Sequence, residues 1–282
     1  MKDFKILTHE DYEEVVDLCK NIWDGNDYIP EIFHKWVDDK KGCFLAVKNN
    51  NKIVGLGKYS ILIDNQGWLE GLRVHPDYRG IGYANMLSDE LFKIAKKDIE
   101  INKTISVGMC THKDTIASIK MMTNRGFHLE QSCLLAFKDK NSLDKSNIDI
   151  NDFKVNKWNI SYDDLLSLDY FKNFNNRIVY GFMYLNLCKN VYDNLVSTDS
   201  LLDINGFKCI IKLKGDTPSI MCINESIESI NTLANYCLLK YNSDEVHVCI
   251  TNPTKDLIDK LRANNFDCID ELEKDCLYFL YK

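Results

Sequence analysis

The stretch Glu70-Gly-Leu-Arg-Val-His-Pro-Asp-Tyr-Arg-Gly-Ile-Gly-Tyr-Ala-Asn-Met-Leu87 (EGLRVHPDYRGIGYANML) reads as a strand end, a glycine-bearing turn and a helix start. A helix N-terminus carries unpaired N–H groups and about half a positive charge, so it attracts an anion. Gly80 and Gly82 remove side chains that would hold a bulky anion away, and they permit unusual backbone angles. Arg79 adds a cation able to fork onto phosphate oxygens. A lone G-x-G is also found in ordinary strand-to-helix turns, but the pattern here is longer. It runs apolar strand, Val74-x-Pro76, two residues, Arg79-Gly-x-Gly-x-Ala84, then an amphipathic helix.

Working outward, helices are expected over residues 11–22 and 30–37, the second opening on a proline whose missing N–H costs little there. Strands follow at 43–48, 52–62 and 68–74, the first two joined by an Asn-Asn-Asn turn. The opening motif leads into a helix over 82–97. A strand at 105–110, a helix at 115–124 and one or two strands within 127–138 come next. The polar, aperiodic segment KDKNSLDKSNIDIND is the expected linker. Beyond it, strands at 208–213 and 219–223, a helix at 227–239, a strand at 246–251, a helix at 254–264 and a strand at 276–281 complete the chain. The two halves end alike: apolar strand, polar turn, amphipathic helix, an Arg–Phe exit and a last strand. Internal duplication and shared supersecondary grammar both account for this echo.

The formal net charge of −7 argues against a nucleic-acid surface, which needs a basic field. The basic run at Lys138–Lys140 is interrupted by an aspartate and reads as a solvated strand end. No stretch has signal-peptide or membrane-span length, so no membrane partner is expected and the reading is cytoplasmic. The 11 cysteines are odd in number, lack Cys-x-x-Cys spacing and sit mostly in apolar runs. They read as small core hydrophobes in a reducing compartment, with no metal.

The string Arg79-Gly-Ile-Gly82-Tyr-Ala84 resembles the acetyl-CoA-binding signature of the GNAT superfamily, (Gln/Arg)-x-x-Gly-x-(Gly/Ala). The resemblance covers about residues 4–138. It implies an α/β (α+β) fold with a mixed, mostly antiparallel sheet flanked by helices, followed by a second, smaller GNAT-like domain. The domains read as 1–140 catalytic, 141–151 linker and 152–282 degenerate. The resemblance further implies that amides of Arg79, Gly80, Ile81, Gly82, Tyr83 and Ala84 cradle the CoA pyrophosphate. The edge of Leu72, Arg73 and Val74 would bond the pantetheine arm like an added strand. WDGNDYIPEIFHKWVDD ahead of WLEGLRVHPDYRG is similar, more narrowly, to amino-acid N-acetyltransferases that include the vertebrate histidine enzymes. The implied activity is acetyl transfer from acetyl-CoA to a primary amine of a small molecule, an amino acid in the narrower likeness. Aminoglycoside, polyamine and peptide N-terminal acceptors stay open, as does a CoA-binding regulator without catalysis.

Acetyl transfer needs a neutral amine, an oxyanion donor and a proton for the departing thiolate. Glu70 shares a strand face with Leu72 by period-two alternation and matches a glutamate of polyamine-type members. It is the candidate base; it could equally anchor the acceptor's ammonium, or pair with Arg73 or another strand's cation. An N–H near Leu72 is the candidate oxyanion donor. The family's usual acid, a tyrosine before the Gly-Phe exit, is here Met122, and its usual helix-start asparagine is matched by Thr115. Tyr83, Tyr59 and Cys110 are the substitutes, beside water or the new ammonium. His112, and less so His75, follow strand ends that border such sites. Asp27, Tyr28 and Trp68 are the expected acceptor contacts, with Trp36 read as packing and Asp27 as ammonium anchor or helix cap. The second half has no glycine in its turn, Asn224-Glu-Ser-Ile, and Glu225 and Glu228 would repel an anion. It is therefore expected to hold no CoA and to wall the acceptor site or mediate dimerisation, the protein being a monomer or homodimer.

Overall fold

The structure, a computed structural model, describes residues 2–143, 148–269 and 272–282. By contacts the chain divides into residues 1–109 with 280–282, and residues 110–279. The expected boundary at 141–151 thus falls inside the second unit, and residues 144–147 of that linker lie outside the described residues.

In the first unit, β1 (Lys2–Ile6) leads to α1 (Tyr12–Cys19) and α2 (Ile29–Asp38), then β2 (Cys43–Asn49), β3 (Lys52–Ile61) and β4 (Gly67–Val74). α3 (Tyr83–Glu100) crosses over to β5 (Val107–His112), whose first residues belong to this unit. β1 to β4 form an antiparallel series, and β4 pairs with β5 in parallel. The expected Asn turn is present: Asn50 and Asn51 hold φ of 49° and 69°, as a tight hairpin requires. One core contains Val15 and Leu18 of α1, Ile29, Phe33 and Trp36 of α2, and Phe44, Ala46, Ile53 and Leu56 of the sheet. α3 buries Tyr83, Leu87, Leu91, Phe92 and Ala95. The helix expected over 11–22 stops at Cys19, because Trp23 and Asp24 take left-handed φ of 49° and 56° and turn the chain toward α2.

In the second unit come α4 (Ile116–Thr123), β6 (His128–Asp139), β7 (Val155–Lys157), α5 (Tyr162–Ser167), α6 (Asp169–Asn173), β8 (Arg177–Tyr180), β9 (Met183–Asn186), α7 (Lys189–Ser197), β10 (Leu201–Ile204), β11 (Phe207–Lys214), β12 (Thr217–Cys222), α8 (Ile227–Tyr241), β13 (Glu245–Ile250), α9 (Lys255–Ala263), β14 (Phe266–Asp267) and β15 (Cys276–Tyr281). Its strands run β15-β6-β13-β12-β11-β10-β7, with β8 and β9 a separate hairpin. β12, α8 and β13 repeat the parallel crossover of β4, α3 and β5. Across β6 and β13 the register runs antiparallel from Leu134↔Ile250 to Asp139↔Glu245. The first unit receives Leu280–Lys282 from the other end of the sequence, with Tyr281 edge-on to Phe92 at 4.9 Å. The first unit thus takes Leu280–Lys282 from the second half of the sequence and the second unit takes residues 110–139 from the first, which is why the contact boundary differs from the sequence boundary.

The basic run at Lys138–Lys140 is not wholly solvated. Lys138 is buried; its Nζ donates to Asn231 Oδ1 at 2.5 Å and lies 4.9 Å from the Phe266 ring. β6 runs between β15 and β13, and Lys138 also stands opposite Phe266 of β14, so its side chain is covered. Burial without a carboxylate pushes its ammonium down to about 8.

Candidate active site and cofactor cradle

β4 is irregular where the sequence places its functional residues. Leu56 faces Arg73 while Lys58 faces Glu70, so β4 carries one residue more than β3 across this interval. This is a β-bulge, a device that re-aims backbone and side chains beside active sites. Gly71 sits in it with φ +66°. The recorded ladder to β5 has two pairs, Gly67↔Val107 and Trp68↔Gly108. Past Trp68, β4 runs on to Val74 beyond that ladder.

The strand exits through His75, whose N–H donates to Val54 O at 2.9 Å. A short turn at Pro76–Tyr78 follows, and then the glycine loop. Gly80 and Gly82 hold φ of +76° and +96°, and a Cβ built on either meets no atom within 4 Å. Gly82 is the N-cap of α3, and Arg79 is exposed, its Nε donating to Val74 O at 3.2 Å. The loop therefore offers a helix mouth, backbone in glycine-favoured conformations, and clear space where side chains would stand. These features fit a diphosphate. Tyr83 contributes backbone only, its ring being buried.

Glu70 Oε1 accepts from Ser60 Oγ at 2.8 Å. Arg73, the cation expected to compete for it, and Lys58, which stands opposite it on β3, are committed to other carboxylates. Arg73 forks onto Asp27, Nε to Oδ2 at 2.7 Å and Nη2 to Oδ1 at 3.1 Å. Lys58, fully buried, donates to Asp39 Oδ2 at 2.5 Å. Arg73 also lies 4.3 Å from the Trp23 ring and 5.4 Å from Tyr28, a stack worth about 0.5–2 kcal/mol. Burial pushes the Tyr28 phenol up to about 12; Arg73 opposes this, while Glu70 and Asp27 add to it. Glu70, Tyr28, Arg73 and Asp27 thus form one charged and aromatic group around the bulge.

Several expectations change here. Asp27 is not open to an ammonium: its side chain is 1% exposed and its oxygens serve Arg73 and the Ile29 amide. It is a helix-entry cap and an arginine clamp. Trp68 does not line an acceptor pocket; it is 1% exposed, at the point where β4 pairs with β5. Tyr59 is buried and donates to Asp98 Oδ2 at 3.0 Å, tying β3 to α3 rather than serving a thiolate. Met122 is buried in the tyrosine's position. His112 falls in the second unit, its Nδ1 3.5 Å from Asp114 and its Nε2 3.8 Å from Asp275. Cys110, also there, contacts Cys276. Sequence reasoning missed Ser60 and Trp23; the left-handed backbone at Trp23 leaves no signature in a residue of that size.

The second unit contains the corresponding crossover without the cradle. β12 and β13 pair from Ser219↔His247 to Met221↔Cys249. Glu225, just beyond β12, bonds across to the chain leaving β13: Oε1 accepts from Thr251 N at 2.6 Å and Oε2 from Asn252 N at 3.0 Å. Burial raises its carboxyl above the usual range despite those bonds. Among the described residues no helix is long and apolar enough to cross a membrane, and no cluster of metal-ligating side chains occurs.

Comparisons with known proteins agree with this construction. The model of the Acetyltransferase (GNAT) family matches residues 8–127. An acetyltransferase of Sodalis glossinidius is 32% identical over 143 residues, covering 48% of this chain and 94% of that protein. The chain belongs to the GNAT acetyltransferase family. A histidine N-acetyltransferase of Xenopus tropicalis is 27% identical over 138 residues, which is 48% of this chain but only 41% of that protein's length. The solved structure of a tandem GNAT protein from the clavulanic acid biosynthesis pathway aligns over 99% of this chain and 98% of its own, with a TM-score of 0.56 and 11% identity. The fold is the expected α/β GNAT fold, a mixed sheet flanked by helices, and its family uses acetyl-CoA.

Proposed function

We propose that the chain is an acetyl-CoA-dependent N-acetyltransferase that acetylates the primary amine of a small molecule by direct attack in a ternary complex. The observation that carries this reading is the continuity of β4 with the glycine loop. A bulged strand that outruns its parallel partner leads straight into an open, arginine-flanked helix mouth. A pantetheine arm followed by a diphosphate has that shape and polarity.

Acetyl-CoA supplies an activated thioester carbonyl. The amides from Arg79 to Ala84 hold the diphosphate, and the edge of Leu72–Val74 aligns the arm. Glu70, oriented by Ser60, takes the proton of the acceptor's ammonium directly or through one water. An N–H near Leu72, turned by the bulge, receives the developing oxyanion. Tyr28 and the Trp23–Arg73 stack stand beside Glu70 as the acceptor-facing group. Amino acids are the first acceptors to test, on the partial likeness to the Xenopus tropicalis enzyme. The second domain, residues 152–282, binds no CoA because Glu225 bonds across the gap between its strands. The 11 free thiols suit a cytoplasmic setting.

The buried Met122, which has no proton to give, favours a second reading: a CoA-binding regulator. Thiol release followed with DTNB over a panel of amino acids, polyamines and aminoglycosides separates the two. Acceptor-dependent release supports the enzyme. Tight CoA binding with no release from any amine supports the regulator.

A further inference from the structure

Of the 11 cysteines, Cys43, Cys110 and Cys188 are half-buried and the others are buried. Cys110 stands apart from the other two half-buried thiols. Its Sγ lies 3.3 Å from Cys276 Sγ, and both residues belong to the second unit. Cys276 is in turn hydrogen-bonded to Cys133, and Cys133 receives Cys249 and the Tyr184 hydroxyl, the latter at 3.1 Å. Four sulfurs therefore form a contiguous chain from a half-buried thiol into the core. Packing alone asks only that a buried cysteine behave as a small hydrophobe. Here two sulfurs are within about 1.3 Å of covalent disulfide distance, and one of them is reachable from solvent.

We propose that Cys110 and Cys276 are a modification site: a dithiol that a hydroperoxide converts to a reversible intrachain disulfide. Cys110 thiolate attacks the peroxide oxygen, the O–O bond breaks, and the departing alkoxide or hydroxide leaves as alcohol or water. Cys110 is then a sulfenic acid. Cys276 sulfur attacks Cys110 sulfur, the S–O bond breaks, and hydroxide leaves as water with the proton that Cys276 gives up. The two thiols lose two electrons and the peroxide gains them. Burial holds the Cys276 thiol well above the ordinary range, so its proton must be taken as it attacks. The hydroxide expelled from Cys110 is the base that takes it, so the step needs no further proton acceptor. A small thiol reverses the bond by exchange, as expected of a transient disulfide in a reducing compartment.

The test is peptide mapping. The reduced chain is treated with a small excess of hydrogen peroxide, remaining thiols are blocked with N-ethylmaleimide, and the digest is analysed by mass spectrometry. The expected product is a linked Cys110–Cys276 peptide pair, lighter by two hydrogen atoms, released by dithiothreitol and absent from Cys110→Ser. Cys43 and Cys188 serve as internal controls and remain unlinked. In Cys276→Ser, Cys110 is expected to accumulate as a sulfenic acid trapped by dimedone. Cys110 appearing as sulfinic acid with Cys276 alkylated, or oxidised no faster than Cys43 and Cys188, would overturn the proposal.

Discussion

Gly71 lies directly under the Trp36 indole: a Cβ built on it would stand 2.5 Å from Cη2 and 2.7 Å from Cζ3. The same residue has φ +66° at the β4 bulge. A side chain is thus excluded both by contact and by backbone conformation. Gly71→Ala is expected to cost about 2–4 kcal/mol, from left-handed strain and overpacking together. Thermal melting reads this directly, and a Tm within a degree of the parent would mean that the bulge yields without cost.

Glu70 lies next to that glycine and shares its strand. Glu70→Gln keeps the shape and the Ser60 contact but removes the base. The expected loss in kcat/KM is about 10²–10⁴-fold, largest at low pH where the acceptor is most protonated, with CoA affinity unchanged. Equal activity of the two forms across about pH 6–9, where amines begin to lose their proton, would remove Glu70 from this role.

The clamp of Asp27 on Arg73 supports Tyr28 and Trp23. Asp27→Asn leaves a largely buried guanidinium without its counter-charge, a change that costs about 3–5 kcal/mol in comparable pairs. The acceptor KM should rise while CoA binding holds. Asp27→Asn with Arg73→Met should recover part of the lost stability, because no unpaired charge then remains. Failure of the double variant to exceed the single one in Tm would show that the pair does not act through charge.

Lys138 gives the chain a definite pH dependence. Burial pushes its folded ammonium down to about 8, below the ordinary value of 10.5. Between those values the unfolded chain binds more protons, so stability rises with pH through that window and the full penalty is present below it. Lys138→Met removes the buried ammonium and with it this pH dependence. The stability difference, variant minus parent, should be about 3 kcal/mol near neutrality and shrink as pH approaches 10.5. A difference flat across that range would show that Lys138 stays protonated throughout.

Much of this architecture is legible in the sequence because it is dictated locally. The strand at residues 276–281 and the helix following the glycine loop are apolar runs with clear period. β1 is missed because five residues with two lysines, and with Phe4 and Ile6 exposed, carry little pattern. β7 to β10 are missed because they are short: β7 is three exposed residues and β8, β9 and β10 have four each, too few for a period to show, while α5 has only six. The loop Arg79–Ala84 is readable because glycine at positive φ is a requirement of the residue itself. Asp27 and Arg73 meet across 46 positions, and nothing near either residue announces the other. Lys138 misleads because its burial comes from strands far along the chain. That Leu280–Lys282 belong with the first unit is invisible for the same reason: strand pattern records a face, not a partner.

We propose one diphosphate site per chain, at Arg79–Ala84, with its counterpart in the second unit closed by Glu225. Isothermal titration with CoA on the full chain, on Gly82→Val and on Arg79→Glu measures this most directly. One CoA per parent chain is expected, with a loss of at least tenfold in affinity in either variant; Tm should change little in Arg79→Glu, and Gly82→Val carries the added strain of a side chain at φ +96°. Two CoA per chain, none, or binding indifferent to both substitutions would contradict it.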